Sequence, residues 1–167
     1  QMVRKIQLNS AYGAIGNQYF RYYDTDLAEA ITLSGQLSIR WIADRLNEFL
    51  NKTVGTEDYD FIVASDTDSV YIRLGELVNK VCPNKDTPEI VDFLNKSCEE
   101  IIIPFIKKQY DDLARKMNAF DNKMVMDREC IADKGIWTAK KRYMLNVHDS
   151  EGIRYKEPKL KIMGIET

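Results

Sequence analysis

The sequence predicts an α+β domain with a mostly antiparallel sheet and helices on one of its faces. Three observations carry that expectation. Leu33, Leu37, Trp41, Ile42, Leu46, Phe49 and Leu50 form an apolar stripe at helical spacing. An apolar run, Phe61-Ile62-Val63-Ala64, and an alternating one, Val70, Ile72 and Leu74 against Tyr71 and Arg73, flank a short polar turn and read as strand, turn, strand. A second long helical pattern then gives way to extended segments rich in β-formers. At 167 residues and 44% hydrophobic the chain can build a real core.

In order, residues 2 to about 15 fit a helix, with Lys5, Asn9 and Tyr12 on one face and Leu8, Ala11 and Ile15 on an adjacent apolar side. Gly13 and Gly16 weaken its end, and Asn17 to Tyr23 is a polar-aromatic connector. Asp24-Thr25-Asp26 offers an N-cap to the striped helix. Asn51 to Asp58 reads as a loop, Glu76 to Val81 as a short helix and Pro83 to Pro88 as another loop. Ile90 to Asn118 reads as a long helix, with Val91, Leu94, Ile101 or Ile102, Phe105, Leu113 and Met117 inward and a kink or break at Pro104. Met124 to Ala132 and Ile136 to Val147 read as strands, Glu151-Gly152 as a hairpin turn, and a last extended segment is bounded by Pro158 and Gly164.

Composition excludes several functions. A formal net charge of −2 rules out a polycation, so nucleic-acid contact must come from local basic patches. Cys82, Cys98 and Cys130 are odd in number and widely spaced, and His148 is the one histidine. That argues against a zinc site or disulfide framework, points to a reducing compartment, and assigns these four residues no chemistry. No signal-peptide pattern or apolar run of membrane-spanning length is present. Gln1 is no initiator methionine, Met2 to Lys5 already reads as helix interior, and no stop signal precedes Thr167. The expectation is a piece of a larger polypeptide, expressed as a fragment or as one chain of a divided protein.

The most informative stretch is Ser65-Asp66-Thr67-Asp68-Ser69, two carboxylates at a hairpin tip. Anions placed together repel, and a bound cation is the natural compensation. Hard oxygen ligands of this kind suit magnesium, with substrate phosphates completing its shell. The bland alternative is a solvated turn, since aspartate favours turns. In the first helix Lys5 offers a point charge to a phosphate, Asn9 and Tyr12 could meet a sugar or base, and Gly13 leaves room for a flat ligand. An ordinary amphipathic helix is the alternative there. Lys140-Lys141-Arg142 reads either as a nucleic-acid contact or as a lysine-protected strand edge.

Lys-x-x-x-Asn-Ser-x-Tyr-Gly at 5–13, followed by Asp-Thr-Asp-Ser at 66–69, resembles the family B replicative DNA polymerases. Arg21-Tyr22-Tyr23-Asp24, Met126-Asp127-Arg128-Glu129, Lys140-Lys141-Arg142-Tyr143 and Leu160-Lys161-Ile162-Met163-Gly164 are similar to those of T-even-like bacteriophages. The likeness covers essentially the whole chain in the family's order. It implies the end of a fingers helix at 1–17, a palm domain with a palm-type antiparallel sheet at 18–157, and the start of a thumb connection at 158–167. It implies two-metal, template-directed transfer from dNTP to a primer 3′-hydroxyl, with Asp68 binding magnesium directly and Asp66 as a supporting carboxylate. Lys5 would touch the triphosphate, Asn9 would line the nucleotide pocket, and Tyr12 and Gly13 would lie under the nascent base pair. Lys140, Lys141, Arg142 and Tyr143 would hold the primer-template, with Asp127 and Glu129 as accessory acids.

The partners so implied are primer-template DNA, dNTPs, a complementary chain or further domains with the exonuclease, and a sliding clamp, all in the host cytoplasm. The sequence departs from the family in three ways. The other metal-binding aspartate motif, Asp-x-x-Ser-Leu-Tyr-Pro or similar, does not occur in it. Ser65 stands where glycine is common, and the small serine is expected to fit. Asp133-Lys134-Gly135 is shorter than the loop of the phage relatives. A partial metal site should bind magnesium weakly. Two competing readings are a non-catalytic palm-like nucleic-acid-binding module and a palm-like cyclase or nuclease, the last fitting the acids but not the Lys5 to Gly13 helix.

Overall fold

A computed structural model describes residues 2–165. Its elements are α1 (Met2–Ile15), α2 (Thr25–Val54), β1 (Ile62–Asp66), β2 (Ser69–Ile72), α3 (Gly75–Val81), α4 (Thr87–Ser97), α5 (Ile103–Lys116), β3 (Cys130–Ala139), β4 (Arg142–Ser150) and β5 (Ile153–Met163). The architecture is α+β and every strand pairing is antiparallel. The strands divide into two sheets, β1-β2 and β3-β4-β5.

Helix α2 starts where Asp24 Oδ1 accepts the Leu27 N–H at 2.9 Å, and ends at Gly55, whose φ of 70° a side chain would resist. It runs to Val54, so the loop expected from Asn51 begins one turn later. Asn51 explains the difference: its amide bonds Asn47 O and Tyr59 O (3.0 and 2.7 Å) and its Oδ1 accepts from Thr56 and Tyr59 (2.7 and 3.0 Å), which ties the helix end to the following chain. Asn47 Oδ1 accepts the Phe61 N–H at 2.8 Å. Two asparagines on one helix thus aim the strand that leads to Asp66.

Ile42 and Leu46 of α2 bury against Ile102, Ile106, Tyr110 and Leu113, with Val70 and Ile72 of the small sheet packed on this cluster. Leu50, Val54 and Phe61 form a second core. Helices therefore cover one face of the acid-bearing hairpin. The inward stripe starts later than the period suggests: Leu33 (54%) and Leu37 (39%) are exposed, because the end of α1 meets this half of α2 at Ala28 and Thr32 and leaves them uncovered. On α1, Ala11 is exposed, Ile15 is half-buried, and the Leu8 side chain lies outside the described ones.

The long helix is continuous in path but changes winding. Between α4 and α5, Cys98–Ile102 forms a π-turn, with Ile103 N–H bonded to Cys98 O. Pro104 follows directly; it lacks a donor and crowds the preceding turn, and the wider winding accommodates it. Ile102, not Ile101, faces inward, and Met117 is exposed.

The strand expected at 124–132 is a correction: 124–129 has no regular structure and β3 starts at Cys130. The single strand expected at 136–147 is a second one. It is a hairpin, turning at Lys140-Lys141 between Ala139 and Arg142. Glu151-Gly152 turns as expected, and β5 runs through Pro158, which falls at a register shift on an edge strand where no donor is needed.

Candidate active site

Asp66 and Ser69 are paired across the small hairpin, leaving Thr67-Asp68 as a two-residue turn. Asp68 N–H donates to Asp66 O at 2.6 Å, Ser69 Oγ to Asp66 O at 3.1 Å, and Thr67 Oγ1 to Asp66 Oδ1 at 3.0 Å. Thr67 has φ 49°, a left-handed conformation that a β-branched residue resists. The turn is thus over-determined by hydrogen bonds and mildly strained, as tips that present functional groups often are. Asp66 is half-buried and Asp68 exposed. Ser65, paired with Val70, is an exposed strand residue, so its side chain does not enter the turn.

Asp68 and Ser69 line a cavity of about 750 Å³ together with Asp127, Glu129 and Lys134, and Cys98, Ile102 and Leu145 also line it. Burial pushes the Cys98 and Cys130 thiols up, which keeps them protonated and inert. Glu129 Oε1 pairs with Lys161 Nζ at 2.5 Å, so its charge is already met. Among the described residues Asp66, Asp68 and Asp127 form no ion pair. Among the same residues no three His, Cys, Asp or Glu side chains converge as a metal cluster. The donor set nevertheless fits part of a magnesium shell, because this ion takes one or two carboxylates and keeps water or phosphate for the rest.

Lys140 and Lys141 form the tip of the β3-β4 hairpin, and they and Arg142 are exposed. Lys141 has φ 63°, and a Cβ at Gly164 (φ 66°) would collide with the Lys141 carbonyl oxygen. Glycine there lets the end of β5 lie against the basic tip. Tyr143 is half-buried beside Tyr71. Tyr12 is 49% exposed and its hydroxyl meets Thr32 Oγ1 at 2.7 Å, so α1 docks on α2; Gly13 is open to solvent. The Lys5 and Asn9 side chains lie outside the described ones.

The sequence reading missed an ion network behind the site. Asp149 is buried and accepts from Arg128 (2.5 Å), Arg154 (3.3 Å) and the Gly152 N–H (3.1 Å), while Arg154 also reaches Asp92 on α4 at 2.7 Å. Burial alone would raise the Asp149 pKa, but the two arginines outweigh it and hold the carboxyl below its usual range. The signal was the intervening hairpin turn, which returns Asp149 toward Arg154. Where a short loop was expected at Asp133-Lys134-Gly135, the chain continues as β3, and Asp133 meets Asn146 Nδ2 at 2.7 Å and His148 Nε2 at 3.3 Å. A second groove, between α2 and α5 around Trp41, holds none of the candidate residues.

No protein-family model matches the chain. Individual relatives do. The DNA-directed DNA polymerases of Escherichia phage RB69 and Enterobacteria phage T4 are each 48% identical to it over 177 residues, covering 100% of this chain and 20% of theirs. Over its whole length the chain is similar to one segment of these T-even-type phage DNA polymerases. It spans about one fifth of the length of those relatives. The aligned length exceeds the 167 residues here, so these polymerases carry residues without a counterpart in this chain. The DNA polymerase alpha catalytic subunit of Leishmania donovani is 33% identical over 75 residues, 45% of this chain and 5% of that one. No helix among the described residues is long and apolar enough to cross a membrane.

Proposed function

We propose that this chain supplies the palm and the end of the fingers of a DNA-directed DNA polymerase, working on primer-template DNA and dNTPs. The observation that carries this reading is the hydrogen-bonded Asp66-Thr67-Asp68-Ser69 turn, in a chain 48% identical to phage polymerases over its whole length. The proposed division is fingers helix at 1–17, palm at 18–157 and thumb connection from 158.

Asp68 and Asp66 would hold magnesium, Asp68 directly, because an exposed carboxylate at a rigid tip can reach an ion without moving the backbone. Bound there, the metal supplies charge neutralisation at phosphoryl oxygens and activation of the primer hydroxyl. The protein's own part is positioning, since phosphoryl transfer needs in-line geometry more than covalent help. Lys5 would steady the departing phosphates, Asn9 would line the nucleotide pocket, and Tyr12 with Gly13 would lie under the new base pair. Lys140, Lys141 and Arg142 would grip duplex phosphates or the minor groove, whose acceptors vary little with sequence. Asp127 is the better accessory acid, because Glu129 is engaged by Lys161.

The reading implies that the chain alone does not polymerise, since two carboxylates are too few to hold the metals firmly. Primer extension by the isolated chain with magnesium and four dNTPs tests this. Background-level product is expected, and robust template-directed extension would overturn it. A second reading is a non-catalytic duplex-binding module, resting on the exposed basic tip at Lys140, Lys141 and Arg142. That alternative gains if Asp66 and Asp68 substitutions change nothing in a completed enzyme while Lys140 and Lys141 control affinity.

A further inference from the structure

The acid-bearing sheet and the basic-tipped sheet meet through aromatic side chains, and burial together with a hydrogen-bonded Tyr143 hydroxyl holds the Tyr71 phenol protonated. The Tyr71 ring on β2 lies 5.2 Å from Trp137 on β3 and 5.5 Å from Tyr143 on β4, both edge-on, and Trp137 and Tyr143 are 6.3 Å apart. Trp137 and Tyr143 face each other across the hairpin just below the Lys140-Lys141 turn. Tyr71 stands two residues beyond Ser69, where the acid turn closes. Each ring is therefore close to one of the two tips.

Two further observations mark this contact as built. A Cβ on Gly135 would come within 2.7 Å of two Trp137 ring carbons and 2.8 Å of Leu145, so glycine vacates the space that the indole needs. The Trp137 Nε1 is buried without a hydrogen-bond partner. An orphaned donor is a cost that phenylalanine would avoid, so the position uses the size of the indole rather than its N–H.

We propose that Tyr71, Trp137 and Tyr143 form a positioning cluster that fixes the basic tip relative to the acid tip, so that a duplex gripped at Lys140–Arg142 presents its end to Asp66 and Asp68. What is positioned rests on the polymerase reading. Tyr143 thereby becomes a positioning residue rather than a direct DNA contact, and Tyr71 and Trp137 join it. Edge-on aromatic pairs suit this task because they prefer a defined geometry over sliding apart.

The test uses the full chain with Trp41→Phe, which leaves Trp137 as its sole tryptophan. Affinity for a short fluorescein-labelled primer-template duplex is measured by anisotropy, and Trp137 emission reports the cluster. Tyr71→Ala should weaken binding about fivefold, the scale of losing two aromatic pairs, and shift Trp137 emission to the red. Tyr71→Phe should restore both. Gly135→Ala, which crowds the indole without touching Tyr71, should also weaken binding, and it serves where Tyr71→Ala fails to fold. Unchanged affinity in Tyr71→Ala with shifted emission overturns the positioning role alone, whereas a partial rescue by Tyr71→Phe assigns the remainder to the hydroxyl that meets Tyr143. No duplex binding by the unsubstituted chain overturns the duplex grip at Lys140–Arg142 and this role with it, while the polymerase reading is decided separately by primer extension.

Discussion

Neutralising the basic tip gives the most quantitative prediction. Lys140, Lys141 and Arg142 are exposed and form no ion pair among the described residues, so all three are free to meet phosphates. The variant is Lys140→Gln, Lys141→Asn and Arg142→Gln; asparagine is chosen because position 141 has φ 63° and asparagine tolerates that conformation. Each phosphate neutralised contributes about 0.9 to the slope of log affinity against log salt, so losing three contacts should flatten the slope by about 2.7. Raising salt fourfold, from about 50 to about 200 mM, should therefore cost the unsubstituted chain about 40-fold more affinity than the variant. Anisotropy titrations of a labelled duplex at several KCl concentrations measure both. Parallel slopes for the two proteins would refute the reasoning, because they would show that none of these cations releases counterions from DNA.

Removing Asp149 should leave the Arg128 charge, whose side chain is 10% exposed, buried and unpaired. Asp149→Ala is expected to cost about 3–5 kcal/mol in urea unfolding. Asp149 and Asp133 both have lowered folded pKa values, so the stability they confer is present above the unfolded value of about 3.9 and is lost as pH falls through the folded one. The thermal midpoint should drop below about pH 4, and Asp149→Asn should blunt that acid limb. Thr67→Gly should relieve part of the roughly 1–3 kcal/mol held in the left-handed turn residue and raise the midpoint in calorimetry.

The fold was legible where period and caps agreed. Asp24, the α2 stripe from Trp41 onward and the apolar runs around Asp66 all stand where their chemistry places them, because each feature has its partner within the chain. Leu33 and Leu37 carry the same period but nothing described packs on them, and periodicity alone cannot tell a covered stripe from a bare one. The turn at Lys140-Lys141 was hidden because neither residue is the glycine or asparagine that a left-handed position usually takes. Once that turn is placed, Trp137 and Tyr143 fall opposite each other and the aromatic bridge to Tyr71 becomes visible. The buried Asp149–Arg128 pair was illegible for a different reason: Arg128 lies 21 residues away, in a segment without regular structure that no periodicity marks.

A chimera tests most directly whether Asp68 serves nucleotidyl transfer. The aligned fifth of the Enterobacteria phage T4 polymerase would be replaced by this chain, with and without Asp68→Ala, and magnesium-dependent primer extension measured on one primer-template. Extension is expected from the chimera with Asp68 and background-level product from Asp68→Ala, with duplex affinity unchanged. Equal extension by the two chimeras would contradict that role of Asp68.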